Sequence, residues 1–146
     1  MPDANKSLIS RLYSEGINRH DAVAAAAFYS EDAQNHGGTV GREGMRKVFE
    51  ALFSAFADFH YRIDEATAEE DRVVCKVTMT GTHRGEPTTA RAFGGMLAGV
   101  APTCKSVEVL QFHSFRIGGG QITEHSAVRD DLGMLQQLGL IAPKGG

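Results

Sequence analysis

Apolar residues in the first part of the chain recur at helical spacing. Leu8, Ile9, Leu12, Tyr13 and Ile17 share one side of a helix predicted over residues 4–19. The polar run 18–21 ends it, and Asp21 stands where it can cap a short alanine-rich helix reaching about residue 29. After Gly41, residues Met45, Val48, Phe49, Leu52, Phe53 and Phe56 form one unbroken stripe, the pattern of a helix laid on a core. Between these helices residues 31–40 are a polar connection with room for a short strand at 33–35.

From Phe59 onward the period changes to two. Strands are predicted over residues 59–68, 72–83, 105–117 and 121–129, with a turn at 69–71. The three glycines at 118–120 lie between two strands with no Lys-Ser or Lys-Thr after them, so they read as a hairpin turn and not a phosphate loop. Asp130 or Asp131 then caps a last helix carrying Leu132, Leu135 and Leu138, and Gly139 stops it. Residues 85–102 are apolar but glycine-rich, which fits either a long hairpin arm or a lid over a cavity. Helices first and strands afterwards predict a single α+β domain over residues 1–146, its helices covering one face of a mostly antiparallel sheet.

Composition narrows the function. A chain of 146 residues, 42% hydrophobic and 23% charged, is too apolar for disorder and long enough for one real core. Its net charge of -3 and lack of a basic cluster argue against nucleic-acid binding driven by phosphate contacts. The longest apolar run, residues 22–29, is too short to cross a bilayer, so no membrane partner is expected. The first residues lack a charged segment followed by an apolar one, and the expected location is cytoplasmic. Two cysteines make neither a disulfide framework nor a zinc site. Cys75 reads as a core residue; Cys104, beside Lys105, has no triad around it.

Strand alternation locates the chemistry. Val107, Val109, Gln111, His113, Phe115 and Ile117 share a face, and four of these six are aliphatic or aromatic, so Gln111 and His113 point inward. Thr123, His125, Ala127 and Arg129 share a face of the next strand, while His83 ends the face of Val73, Cys75, Val77 and Met79. With Asn35 and His36 closing the ring, His36, His83, His113 and His125 are candidates to converge. His20 reads as an exposed loop residue and His60 as a strand side chain. An inward histidine is either a satisfied core residue or an acid–base group, since imidazole exchanges a proton near neutral pH. No close His-x-His or His-x-x-x-His pair occurs, and no metal is expected.

The stretch running from Gly120-Gln-Ile-Thr-Glu-His125 through Asp130-Asp-Leu-Gly-Met-Leu-Gln-Gln-Leu-Gly139 carries a resemblance. Gly41-Arg-Glu-Gly44, Asp71-Arg-Val-Val74, Gly81-Thr-His83 and Pro102-Thr103 support it. The chain resembles, over nearly its whole length, the SnoaL-like polyketide cyclase and predicted ester cyclase family, within the superfamily sharing the nuclear-transport-factor-2 fold. That resemblance implies a cone-shaped α+β barrel, a curved antiparallel sheet around a pocket plugged by helices, and a homodimer through the sheet's outer face. It also implies ring closure by an intramolecular aldol reaction without metal or organic cofactor. Asn35, Gln111, His113 and His125 match its pocket positions. The family's acid–base aspartate falls on Ala127, which cannot move a proton, and the common aromatic residue before it is Ser126. Asp130 matches another acidic position but faces away from His125.

The expected function is therefore cofactor-independent histidine acid–base chemistry on a hydrophobic aromatic or polyketide-like small molecule. His113, His125 and Gln111 would carry it, with Asn35, His36, His83, Tyr13 and Phe115 holding the substrate. Aldol-type cyclisation, isomerisation, dehydration and retro-aldol cleavage all suit such a site, since each passes through one stabilised anion. A non-catalytic binding protein of the same fold is the alternative. Water addition to an epoxide would need an acidic pair near an arginine, and Arg129 and Asp130 face opposite ways.

Overall fold

Helix α1 occupies Pro2–Arg11 and then gives way to a π-helical turn, Leu12–Gly16, and a 3-10 turn, Ile17–Arg19. The apolar spacing predicts one continuous helix over 4–19, and the structure divides it. The departure goes with close packing: a Cβ on Gly16 would lie 2.7 Å from the Cα of Ala25, in α2 (Ala22–Ala26). Leu12, Tyr13 and Ile17 stay buried, so the apolar stripe keeps its facing. The computed structural model describes residues 2–85 and 96–142. Asp21 caps α2 as expected, its side chain accepting from the Ala24 amide at 2.9 Å.

Tyr29 does not finish a helix. It opens β1 (Tyr29–Asn35), which extends well before the predicted 33–35 because the segment pairs with β6 (Gln121–Arg129). Tertiary pairing here outweighs local alanine propensity. This β1–β6 ladder is parallel, while the other strand pairs are antiparallel, so the sheet is mostly antiparallel as expected. After the short β2 (Gly38–Thr39), Gly41 takes φ +69 and starts α3 (Gly41–Ala55), which buries Met45, Phe49 and Leu52.

Strands β3 (His60–Glu69), β4 (Arg72–Thr82) and β5 (Ser106–Gly118) fall within a residue or two of their predicted bounds. The sheet order is β2-β1-β6-β5-β4-β3. It curves around the helices without closing, leaving β2 and β3 as edges, so the barrel is open. Along β5 the predicted alternation holds: the six residues from Val107 to Ile117 on one face are buried. Gly119 and Gly120, at φ 58 and 76, make the hairpin turn to β6. Asp130 caps α4 (Asp131–Gln137), accepting from the Gly133 amide at 2.9 Å. That helix turns Met134 and Leu138 inward; Leu132, expected on its apolar side, is 58% exposed.

Cys75 is fully buried in the core, where burial pushes its thiol up to about 11, and Cys104 is exposed. Of the 85–102 segment, residues 86–95 lie outside the described residues; Leu97 is buried against the core. Among the described residues no helix is long and apolar enough to cross a membrane.

Candidate active site

Four strands aim side chains at one point on the concave face. On β5, Gln111, His113 and Phe115 follow at every second residue. On β6, Arg129, Ala127 and His125 stand opposite these three in that order. From β1 come Tyr29 and Asn35, the latter in register with His125, and from β3 comes Tyr61.

Five of these residues form one hydrogen-bonded chain. Tyr61 Oη donates to Gln111 Oε1 at 2.9 Å. His113 Nε2 lies 2.7 Å from the same oxygen, and an amide oxygen only accepts, so this nitrogen carries the hydrogen. His113 Nδ1 is then an acceptor, and His125 Nε2 donates to it across 2.8 Å. His125 Nδ1 in turn accepts from Tyr29 Oη at 3.1 Å. Phe115 stacks on His125 with ring centroids 4.4 Å apart, and Tyr61 packs edge-on to His113 at 5.4 Å.

The electrostatics keep both rings neutral. Burial, reinforced by the charges of Arg129 and His36, lowers His113 to about 3. Burial and then His113, with His36 and Arg129 behind it, holds His125 well below the usual imidazole range. His36 is lowered too, by burial and then Arg129. Burial raises the phenols of Tyr13, Tyr29 and Tyr61, so all three stay protonated at neutral pH. Arg129 is the cation of the site, its Nε donating to Asp131 Oδ1 at 3.0 Å.

A cavity of about 60 Å³ opens beside this chain, walled by Tyr13, Phe49, Leu52 and Phe115 on its apolar side. His113, His125, Asn35, His36 and Arg129 border it on the other. Tyr13 Oη and Asn35 Oδ1 are buried on its wall with no hydrogen-bond partner among the described residues, and Gln111 Nε2 is similarly unmatched behind it. Unmatched buried polar atoms of this kind are costly unless something else meets them.

Six of the eight sequence-predicted residues border the cavity: Tyr13, Asn35, His36, His113, Phe115 and His125. Gln111, 1% exposed, stands one layer back and reaches the cavity only through His113 and Tyr61. His83 does not join them. It follows the end of β4, eight residues beyond the Cys75 that faces His113, roughly 26 Å along an extended strand. There it accepts from the Thr103 amide at 3.2 Å and packs on Phe56 at 5.5 Å, a satisfied core histidine. His60 is exposed on β3, and the exposed His20 reaches the carbonyl of Phe59. Among the described residues no group of three or more His, Cys, Asp or Glu is placed to hold a metal ion.

Tyr29, Tyr61 and Arg129 are not among the residues expected in the site, although the sequence raises Arg129 for water addition to an epoxide. Alternation counted from Phe59 would have placed Tyr61 on the same face as Phe59, and Arg129 shared the face of His125. Tyr29 gave no such signal, because its strand is set by a partner 93 residues away, Ile122.

The chain is similar to AclR from Streptomyces galilaeus, described as a candidate hydroxylase: 27% identity, covering 97% of this chain and 99% of that one, at a TM-score of 0.79. It is similar to IdmH from Streptomyces antibioticus, described as a candidate polyketide cyclase: 26% identity over 92% and 98% of the two chains, TM-score 0.75. A SnoaL-like protein from Jannaschia sp. CCS1 shares the fold at 22% identity, covering 97% and 94%, with a TM-score of 0.79. No curated protein matches the chain. The model of one family, SnoaL-like polyketide cyclase, matches residues 7–138, and with a chain of imidazoles, amide and phenols set beside an apolar cavity in this fold, the protein belongs to that family.

Proposed function

We propose that the protein is a cofactor-independent enzyme that moves a proton at carbon next to a carbonyl, in a hydrophobic aromatic or polyketide-like small molecule. The observation carrying this reading is the two neutral imidazoles, hydrogen-bonded to each other at 2.8 Å on the wall of an otherwise apolar cavity. His113 and His125 take and return the proton, and Gln111 fixes their orientation. The buried Tyr13 hydroxyl donates to a substrate oxygen, Asn35 Oδ1 accepts from a substrate hydroxyl, and the Arg129 cation favours the anion formed in between. Aldol-type ring closure, isomerisation, dehydration and retro-aldol cleavage all pass through that anion.

Size adds a condition. A cavity of about 60 Å³ is well short of the roughly 150 Å³ that admits benzene to an engineered apolar core. An aromatic substrate therefore enters only as the wall widens, and the bound form is more open than this one.

Replacement of the family aspartate by Ala127 favours a second reading, a non-catalytic binder of the same kind of ligand. Purified protein incubated with aromatic polyketide-type ketones, with products followed by mass spectrometry, separates the two. Turnover that falls by about 100-fold or more in His113→Ala and His125→Ala supports the enzyme. Ligand-induced thermal stabilisation with no turnover supports the binder, and turnover unchanged in both variants removes the histidines from the mechanism.

A further inference from the structure

We propose that Tyr29 is the port through which a proton enters and leaves the histidine pair, and that Tyr29, His125, His113 and Gln111 act as one directional relay. The inference rests on the proton-transfer reading above and goes beyond it by naming the group that meets the substrate.

Lone pairs set the direction of the chain. Gln111 Oε1 only accepts, which makes His113 a donor at Nε2 and an acceptor at Nδ1. His125 is then a donor at Nε2 and an acceptor at Nδ1, and Tyr29 Oη supplies that last hydrogen. All four ring nitrogens are occupied, so neither imidazole offers a vacant lone pair to a substrate C–H. The Tyr29 oxygen does. It donates to His125 and, among the described residues, accepts from nothing, while the residue borders the cavity.

The step balances without another reactant. As a substrate C–H proton moves to Tyr29 Oη, the hydroxyl proton of Tyr29 passes to His125 Nδ1. The Nε2 proton of His125 moves on to His113 Nδ1, and the cation rests on His113, whose Nε2–H remains on Gln111. The C–H electron pair stays on the substrate as an enolate. Tyr29 is never a free phenolate, in keeping with the burial that raises its ionisation. Besides Tyr29 itself, the charged and titratable groups facing the pair are Arg129, His36, Tyr13, Tyr61 and the buried Cys75 across from His113. Arg129 and the buried setting disfavour a cation on the pair, so the proton is retained only while the enolate lies beside it. The competing candidate is His36, whose imidazole borders the cavity without a hydrogen-bond partner among the described residues.

Two measurements test the relay. Side-chain 15N NMR of the wild type should show His113 and His125 both as Nε2–H tautomers, with Tyr29→Phe moving the His125 Nδ1 resonance; an Nδ1–H tautomer in either ring overturns the relay. Deuterium uptake from D2O into 2-indanone, an enolisable aromatic ketone, should be accelerated by the wild type and fall by about 100-fold in Tyr29→Phe, with the near-UV circular dichroism unchanged. Exchange that survives Tyr29→Phe but is lost in His125→Ala overturns the port and leaves the histidine base standing. Loss in His36→Ala alone transfers the role to His36 and overturns the port. No exchange above buffer with the wild type overturns both the relay and the reading beneath it.

Discussion

His113 Nδ1 and His125 Nε2 meet at 2.8 Å on a diagonal: Ala127, and not His125, stands directly across the ladder from His113. The methyl group of Ala127 leaves room for the two rings to lean together, and Phe115 stacks beside both, 4.4 Å from His125 and 6.1 Å from His113. Two imidazoles sharing one hydrogen in a buried site cannot both be cations.

Folding is therefore linked to the neutral form of the pair. An unfolded histidine titrates near 6.5, whereas burial holds His113 at about 3 and His125 also well below its usual range. Above pH 6.5 both rings are neutral in both states and contribute no slope. As pH falls below 6.5 the unfolded chain binds protons that the native state refuses, and stability drops by about 1.4 kcal/mol per pH unit per ring. Urea unfolding at pH 5 should give a free energy roughly 2–4 kcal/mol below that at pH 7. His125→Gln should reduce the slope, since an amide does not titrate. An equal stability at the two pH values would show that the rings protonate freely in the folded protein.

Alternation along a strand encodes which way a side chain faces but not its height in the sheet. Residues two apart on a strand must share a face, so the inward setting of Gln111, His113, His125 and Ala127 follows from local sequence once the strands are placed. Position along the strand is a different matter. His83 has the right facing but the wrong height, and height is set by register with β5, which no local pattern reveals. Tyr29 illustrates the same limit: its neighbours are alanines at helical spacing, and only the distant parallel pairing with β6 makes it a strand residue. The first helix changes form where Gly16 packs close to Ala25, an approach equally invisible in a periodic pattern.

Arg129 is the test of the site's electrostatics. Its charge follows burial among the causes lowering His36 and His113. Arg129→Met keeps an apolar stem on the wall and deletes the cation. The imidazole of His36, the more accessible of the two, should titrate at a measurably higher pH in this variant, read by NMR. An unmoved titration would mean that the guanidinium charge is screened from the cavity, and its role toward a substrate anion would fall with it.

Restoring a carboxylate at the family's acid–base position gives a second, independent check. In Ala127→Asp the new group would stand directly across from His113, within the reach of Arg129. An opposite charge favours the imidazolium, so His113 should titrate upward from about 3. The acid-induced loss of stability between pH 7 and pH 5 should shrink for the same reason. A carboxylate at this half-buried position should lower the stability at pH 7, since part of its hydration is lost. Both effects are read from urea unfolding across pH, and an unchanged slope would place residue 127 out of contact with the pair.

The other face of the sheet bears on assembly. Phe112 and Val128 are paired across β5 and β6 with their side chains pointing away from the cavity, 45% and 76% exposed. Leu110, two residues before Phe112, and Val74, opposite Ser114, extend this apolar area, and both are also exposed. An exposed, adjacent set of large apolar side chains on a sheet is the kind of surface that another chain covers. We propose a second copy as that cover, in line with the homodimer that the family resemblance implies. Light scattering after size-exclusion chromatography should give twice the 15.7 kDa chain mass for the wild type. Phe112→Glu combined with Val128→Glu sets two like charges opposite each other on each chain and should give the single-chain mass. Because neither side chain enters the core, the variant's circular dichroism should match the wild type's. A wild type that elutes as one chain, or a double variant that stays paired, would show that this face is not the interface.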